Sequence, residues 1–149
     1  MDNRPIGVFD SGVGGLTVVS ALVQNIPGET IYYVGDTARV PYGNKSKDRI
    51  QQYSEEIIEW LIKKDCKMII IACNTASSLA IDYLEKKFSL PIIGVIDPGV
   101  RLAINKTNSQ SIGVIGTHAT IKSNSYGEKL KSISSEINIF NQSCPLFVP

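Results

Sequence analysis

Cys73, Asn74 and Thr75 stand side by side directly after the apolar run Met68-Ile-Ile-Ile-Ala72. A thiol in that place can serve as base or nucleophile, with two polar side chains and a run of backbone donors beside it. A second group of the same kind, Asp10-Ser11, follows the apolar run Ile6–Phe9 and opens the turn Gly12-Val-Gly-Gly15. It brings a carboxylate, a hydroxyl and bare N–H groups to one strand end, a nest suited to a small anion such as a substrate carboxylate. Each group also has a plainer reading. Free cysteine is among the most buried residue types and is often only structural. The turn could need glycine for its dihedrals, with Asp10 or Ser11 capping the next helix. Capping and ligand contact are compatible.

The elements that must carry these groups follow from periodicity. Short apolar runs near 5–10, 30–35, 68–72, 91–96 and 111–116 predict buried parallel strands, and 135–141 alternates as a further strand. Helical spacing predicts helices over 16–24, 44–64, 76–88, 100–105 and 123–131. The longest of these places Ile50, Tyr53, Ile57, Ile58, Leu61 and Ile62 on one face. Strands alternating with helices imply a mostly parallel, doubly wound α/β sheet. Ile112-Gly-Val-Ile-Gly-Thr117 repeats the pattern of Ile6-Gly-Val-Phe-Asp-Ser11, so a second, similar α/β lobe is expected to begin there. Residues 1–99 then form the first lobe and 100–149 the start of the second. The chain stops on an apolar run soon after that start, which reads as a truncated lobe. In such sheets ligands bind outside the carboxyl ends of the strands. Asp10, Ser11, Tyr42, Cys73, Asn74, Thr75 and Thr117 are expected on that rim, Tyr42 held between Pro41 and Gly43. The helix start after Cys73 is expected to favour its thiolate.

Composition narrows the chemistry. Fifteen basic and fourteen acidic residues leave a net charge of +1, too balanced for a nucleic-acid footprint. No apolar run approaches the roughly 20 residues of a membrane span, and the single histidine, His118, argues against a zinc site. Three cysteines without a Cys-x-x-Cys pair point to reduced thiols and a cytoplasmic setting. Cys66 has no evident partner and reads as structural. The glycine turn fails as a dinucleotide fingerprint because its last glycine would fall at Thr17, and no Gly-Lys-Ser/Thr follows for a phosphate loop. Asp36, at the end of the second strand, keeps a ribose-binding alternative open. A thiol phosphatase loop would need arginine where Leu79 stands.

Five blocks carry a family resemblance: Asp-Ser-Gly-Val-Gly-Gly (10–15), Val-Gly-Asp-Thr-Ala-Arg-Val-Pro-Tyr-Gly (34–43), Ala-Cys-Asn-Thr-Ala-Ser (72–77), Val-Ile-Asp-Pro-Gly (95–99) and Val-Ile-Gly-Thr-His-Ala-Thr (114–120). In that order they resemble the bacterial glutamate racemases. The first two blocks favour that family over aspartate racemase, which stays as the nearer alternative; a nucleotide- or phosphate-binding module is the more distant one. The resemblance implies an isomerase without cofactor or metal that interconverts L- and D-glutamate, the D-isomer serving peptidoglycan. It also implies a homodimer as one assembly open to the chain. Family members use two cysteines on opposite faces of the substrate, one removing the α-proton as thiolate and the other returning a proton as thiol. Cys73 matches the first, which deprotonates the D-isomer. Asp10, Ser11, Tyr42, Gly43, Asn74 and Thr75 match substrate-binding positions, with Asp10 also implicated in proton transfer, and Thr117 is added from the rim. The family's Gly-Cys-Thr-His segment, which bears the second cysteine, is absent from these residues, as is the glutamate segment before it. Cys144 matches an earlier segment and is not that second base.

Overall fold

The structure is a computed structural model and describes residues 2–147. Four strands form one parallel sheet in the order β2-β1-β3-β4, where β1 is Ile6–Asp10, β2 Ile31–Gly35, β3 Met68–Ile71 and β4 Ile92–Gly94. Strand alternation divides its side chains between two faces. Phe9, Ile69 and Ile71 pack against α2 (Lys47–Lys63), α3 (Asn74–Leu79) and α4 (Ile81–Lys87). Ile6, Val8, Met68 and Ile70 face the other way, toward α1 (Leu16–Asn25). The crossover from β1 to β2 runs one way along the sheet and the later ones run back, so right-handed connections place α1 alone on its face. A second parallel sheet pairs β5 (Ser111–Gly116) with β6 (Asn138–Ser143). Its inner residues Ile112 and Val114 share a core with Ile96 and Val100 of α5 (Ile96–Lys106) and Leu130 of α7 (Ser125–Ile133). The α/β class and its parallel sheets thus agree with the periodicity. No helix among the described residues is long and apolar enough to cross a membrane.

Several boundaries differ from those the spacing predicts. The helix expected over 76–88 starts at Asn74 and breaks at Ala80, whose φ of −119° leaves the helical range. Gln51 of α2 donates to the Leu79 carbonyl at 3.2 Å at this break, so a side chain enters where the helix ladder is interrupted. The fourth strand ends at Gly94 rather than near 96, because Val95 already has helical dihedrals and caps α5. Pro98 therefore lies inside the first turn of α5, where its missing N–H leaves no bond unmade. Residues 118–133 form two helices, α6 (His118–Ser123) and α7, divided by Asn124 at φ 55°. Asparagine tolerates that left-handed conformation. The last strand runs 138–143 rather than 135–141. In α2, Ile50, Ile57, Ile58 and Leu61 are buried, whereas Ile62 turns outward with 40% exposure. It lies a further 100° around the helix from Leu61, beyond the edge of the covered stripe.

Candidate active site

The direction of the chain reverses between β1 and β3, and the crevice outside such a switch point is the usual ligand site of an open α/β sheet. Asp10 ends β1 and Cys73 follows β3, so the two groups flank that crevice. A cavity of about 650 Å³ lies there, and Asp10, Ser11, Gly43 and Cys73 line it together with Tyr42, Asn74, Thr75 and Thr117. All eight residues singled out from the sequence therefore meet in one place. Cys144 and His118 do not line it.

Cys73 is the N-cap of α3 and is 5% exposed. Its thiol donates to Ser11 Oγ at 3.4 Å, and the Ala76 N–H donates to its sulfur at 3.5 Å. The helix start was expected to leave a thiolate, but the balance runs the other way. Burial pushes the Cys73 thiol up, and the nearby Asp10 carboxylate adds to it. In the ionised form the Ser11 hydroxyl turns to donate to the sulfur, and that bond and the one from the Ala76 N–H offset part of the rise. Helix-end donation is a local stabilisation of the anion, while desolvation acts on the whole group.

The glycine turn also differs from expectation. Asp10 Oδ2 accepts from the N–H groups of Gly12 at 3.2 Å and Gly15 at 3.0 Å, so these donors of the nest already have an anion. No described glycine has a positive φ, and the turn does not need glycine for its dihedrals. It needs Gly15 for closeness: a Cβ there would lie 2.6 Å from the Asp10 Cβ. Tyr33 of β2 secures the turn from below, donating to the Gly12 carbonyl at 2.8 Å.

Tyr42 is fully buried. Its hydroxyl donates to Asp36 in a short bond, and burial together with that carboxylate keeps the phenol protonated. Arg39 holds Asp36 at 2.7 Å, reaches Glu56 at 2.5 Å and lies 4.2 Å from the centre of the Tyr53 ring. Asp36 thus fixes the loop that bears Tyr42 and Gly43, and its carboxylate is engaged rather than free for a ribose. Gly43 abuts the start of α6 (His118–Ser123), since a Cβ there would come 2.6 Å from the Cβ of its cap, Thr117.

Contributions from the segment around the second sheet were the least visible in the sequence. Thr117 caps α6, and the hydroxyls of Thr75, Thr117 and Thr120 close a triangle with edges of 3.0, 3.0 and 3.4 Å. Thr120 was not anticipated; its backbone N–H donates to the Thr117 cap at 3.2 Å, which brings the two side chains together. Val40, Val95 and Phe147 also line the cavity and were not anticipated. Nothing in their spacing marks them.

Chemically, the cavity wall holds one carboxylate and no lysine or arginine. Asp10 suits an ammonium group, while hydroxyls, the Asn74 amide and backbone N–H groups suit carboxylates. The buried thiol is placed for proton transfer at a carbon held between them.

The family described as Asp/Glu/Hydantoin racemase matches residues 6–144. The glutamate racemase of Staphylococcus aureus (strain JH9) is 49% identical over 147 residues, covering 99% of this chain and 55% of that protein. A glutamate racemase isoform from Bacillus anthracis superposes with a TM-score of 0.95 at 41% identity, over 99% of this chain and 55% of that one. The glutamate racemase of Francisella tularensis in complex with D-glutamate gives 0.90 at 45% identity, with the same coverage of 99% and 55%. The chain spans about half the length of the curated relatives it matches.

Proposed function

The chain belongs to the Asp/Glu/hydantoin racemase family, and from that premise we propose that its cavity binds glutamate and that Cys73 transfers the α-proton of the D-isomer. The observation that carries the reading is the wall itself: a buried thiol at a helix start, one facing carboxylate and otherwise neutral donors. D-glutamate, the ligand of the Francisella tularensis structure, fits that chemistry. The ammonium pairs with Asp10. The carboxylates accept from Ser11, Asn74, Thr75 and the backbone of the Tyr42–Gly43 loop. In a racemase built this way the D-isomer formed would serve peptidoglycan.

The step starts when Cys73 passes its proton to solvent water in the open cavity and becomes a thiolate. The thiolate takes the hydrogen from Cα, leaving the electron pair on a carbanion that its carboxylate and the surrounding donors stabilise. The carbanion then recovers a proton. Inversion requires that proton to arrive on the opposite face, and Cys73 is the one cysteine lining the cavity among the described residues. This chain by itself therefore returns the starting isomer.

The test is D-glutamate in D₂O with this 149-residue chain. We expect deuterium at Cα with retained configuration, slow because one wall cannot exclude water. Exchange is expected to vanish in Cys73→Ala. Exchange that survives this substitution removes Cys73 from the mechanism, and inversion by the wild-type chain means a second acid is present.

A further inference from the structure

We propose that Tyr126 is a positioning residue that orients the Asn74 amide toward an acidic ligand. This inference rests on the glutamate reading of the cavity. Asn74 is the first residue of α3, next to Cys73, and its side chain is exposed at the cavity wall. A primary amide can present either its oxygen or its two N–H groups to a ligand, and the two faces are opposite in sign. Only the N–H face suits a carboxylate. Tyr126 resolves the choice from the other lobe: its hydroxyl donates to Asn74 Oδ1 at 2.6 Å. With the oxygen engaged there, the N–H groups are left for the cavity. No other side-chain hydrogen bond holds the Asn74 amide among the described residues.

The phenol is itself well supported. Tyr126 packs into the second core beside Val100 and Leu130. Its ring passes so near Gly99 of α5 that a Cβ there would sit 3.8 Å away, in ordinary contact. At the start of the same helix, Ser125 donates to the Ser78 carbonyl of α3 at 3.2 Å, so α7 is tied to α3 at two points. Burial raises the phenol's pKa, which keeps it a donor across the neutral range. The second lobe thereby sets the polarity of a group in the first, and it favours a carboxylate over a ligand amide at that position.

The test uses the ¹⁵N-labelled chain and Tyr126→Phe, which keeps the ring and removes only the hydroxyl. Without ligand, the side-chain NH₂ signals of Asn74, identified by their loss in Asn74→Ala, should shift and exchange faster with solvent, while the amides of β1 and β3 stay in place. Unmoved Asn74 signals overturn the proposal. On titration with D-glutamate, Tyr126→Phe should bind about three- to tenfold more weakly, the worth of one hydrogen bond. Tyr126→Phe should add nothing further in an Asn74→Ala background. Equal affinity in Tyr126→Phe, or losses that add in the double variant, also overturns it. If Tyr126→Phe shows the amide shift yet the wild-type chain does not respond to D-glutamate, the orientation stands and the glutamate reading fails. Should Tyr126→Phe not fold, the Tyr126 ring signals in Asn74→Ala report the same contact, and they must move.

Discussion

Cys73 sits between two opposing influences, and their signs set its pH behaviour. Burial raises its pKa, so folding favours the thiol over the thiolate. The stabilisation this brings is complete below the unfolded value of about 8.5 and is lost as pH rises through the higher folded value. Urea unfolding should therefore show wild-type stability falling faster above that pH than in Cys73→Ala. A thiol-alkylation profile reads the same site directly. Ser11→Ala removes the hydroxyl that donates to the thiolate and so lowers the pKa, and it should move the profile to higher pH. Asp10→Asn removes a charge that raises it and should move the profile down. Shifts of the same sign in both variants contradict this account. The sequence placed Cys73 and Asp10 at strand ends, but the balance at the sulfur depends on how completely it is buried, a property of the packed molecule.

At the scale of elements, the 3-10 turn Tyr42–Asn44 and helix α6 meet through Gly43 and Thr117. A methyl group on Gly43 has no space, because the opposing atom is a Cβ attached to backbone and cannot swing away. Gly43→Ala should cost about 1–3 kcal/mol, the usual penalty for overpacking, measured by urea denaturation. It should also weaken D-glutamate binding by moving the loop off the cavity. A stability equal to wild type indicates that the two elements do not pack this closely. Pro41-Tyr42-Gly43 was legible as a fixed loop. Its contact with Thr117, more than seventy residues away, was not, since local patterns carry no information on which distant elements meet.

For the whole molecule, topology leaves apolar surface uncovered. Helix α1 alone serves one face of the first sheet, and Ile93 remains 46% exposed. On the second sheet, Ile115 and Phe140 are 63% and 67% exposed, opposite the face that packs on α5 and α7. Patches of this kind bind apolar dyes and partners. The chain is expected to enhance anilinonaphthalene sulfonate fluorescence in its native state. Phe140→Lys should reduce that signal while changing stability by no more than about 0.5 kcal/mol, as for a surface substitution. A large loss of stability means that Phe140 is packed rather than bare.

The amino-acid sequence by itself determined the α/β class, the succession of strands along the chain, and the residues that gather at the strand ends. Period-2 and period-3.6 patterns report which face of each element is buried, and β–α alternation permits few other arrangements. It also marked Asp10, Cys73 and Thr117, each at the end of an apolar run. Only the tertiary structure decided what those groups experience. One oxygen of the Asp10 carboxylate, Oδ2, is held by N–H groups of its own turn, Asp36 holds Tyr42 rather than a ligand, and the thiol of Cys73 is raised rather than lowered. The threonine triangle and the bond from Tyr126 to Asn74 join residues about 40 to 50 positions apart. Hydrogen-bond partnership and desolvation are set by distances in space, and a linear pattern reports those distances only within one helix or strand.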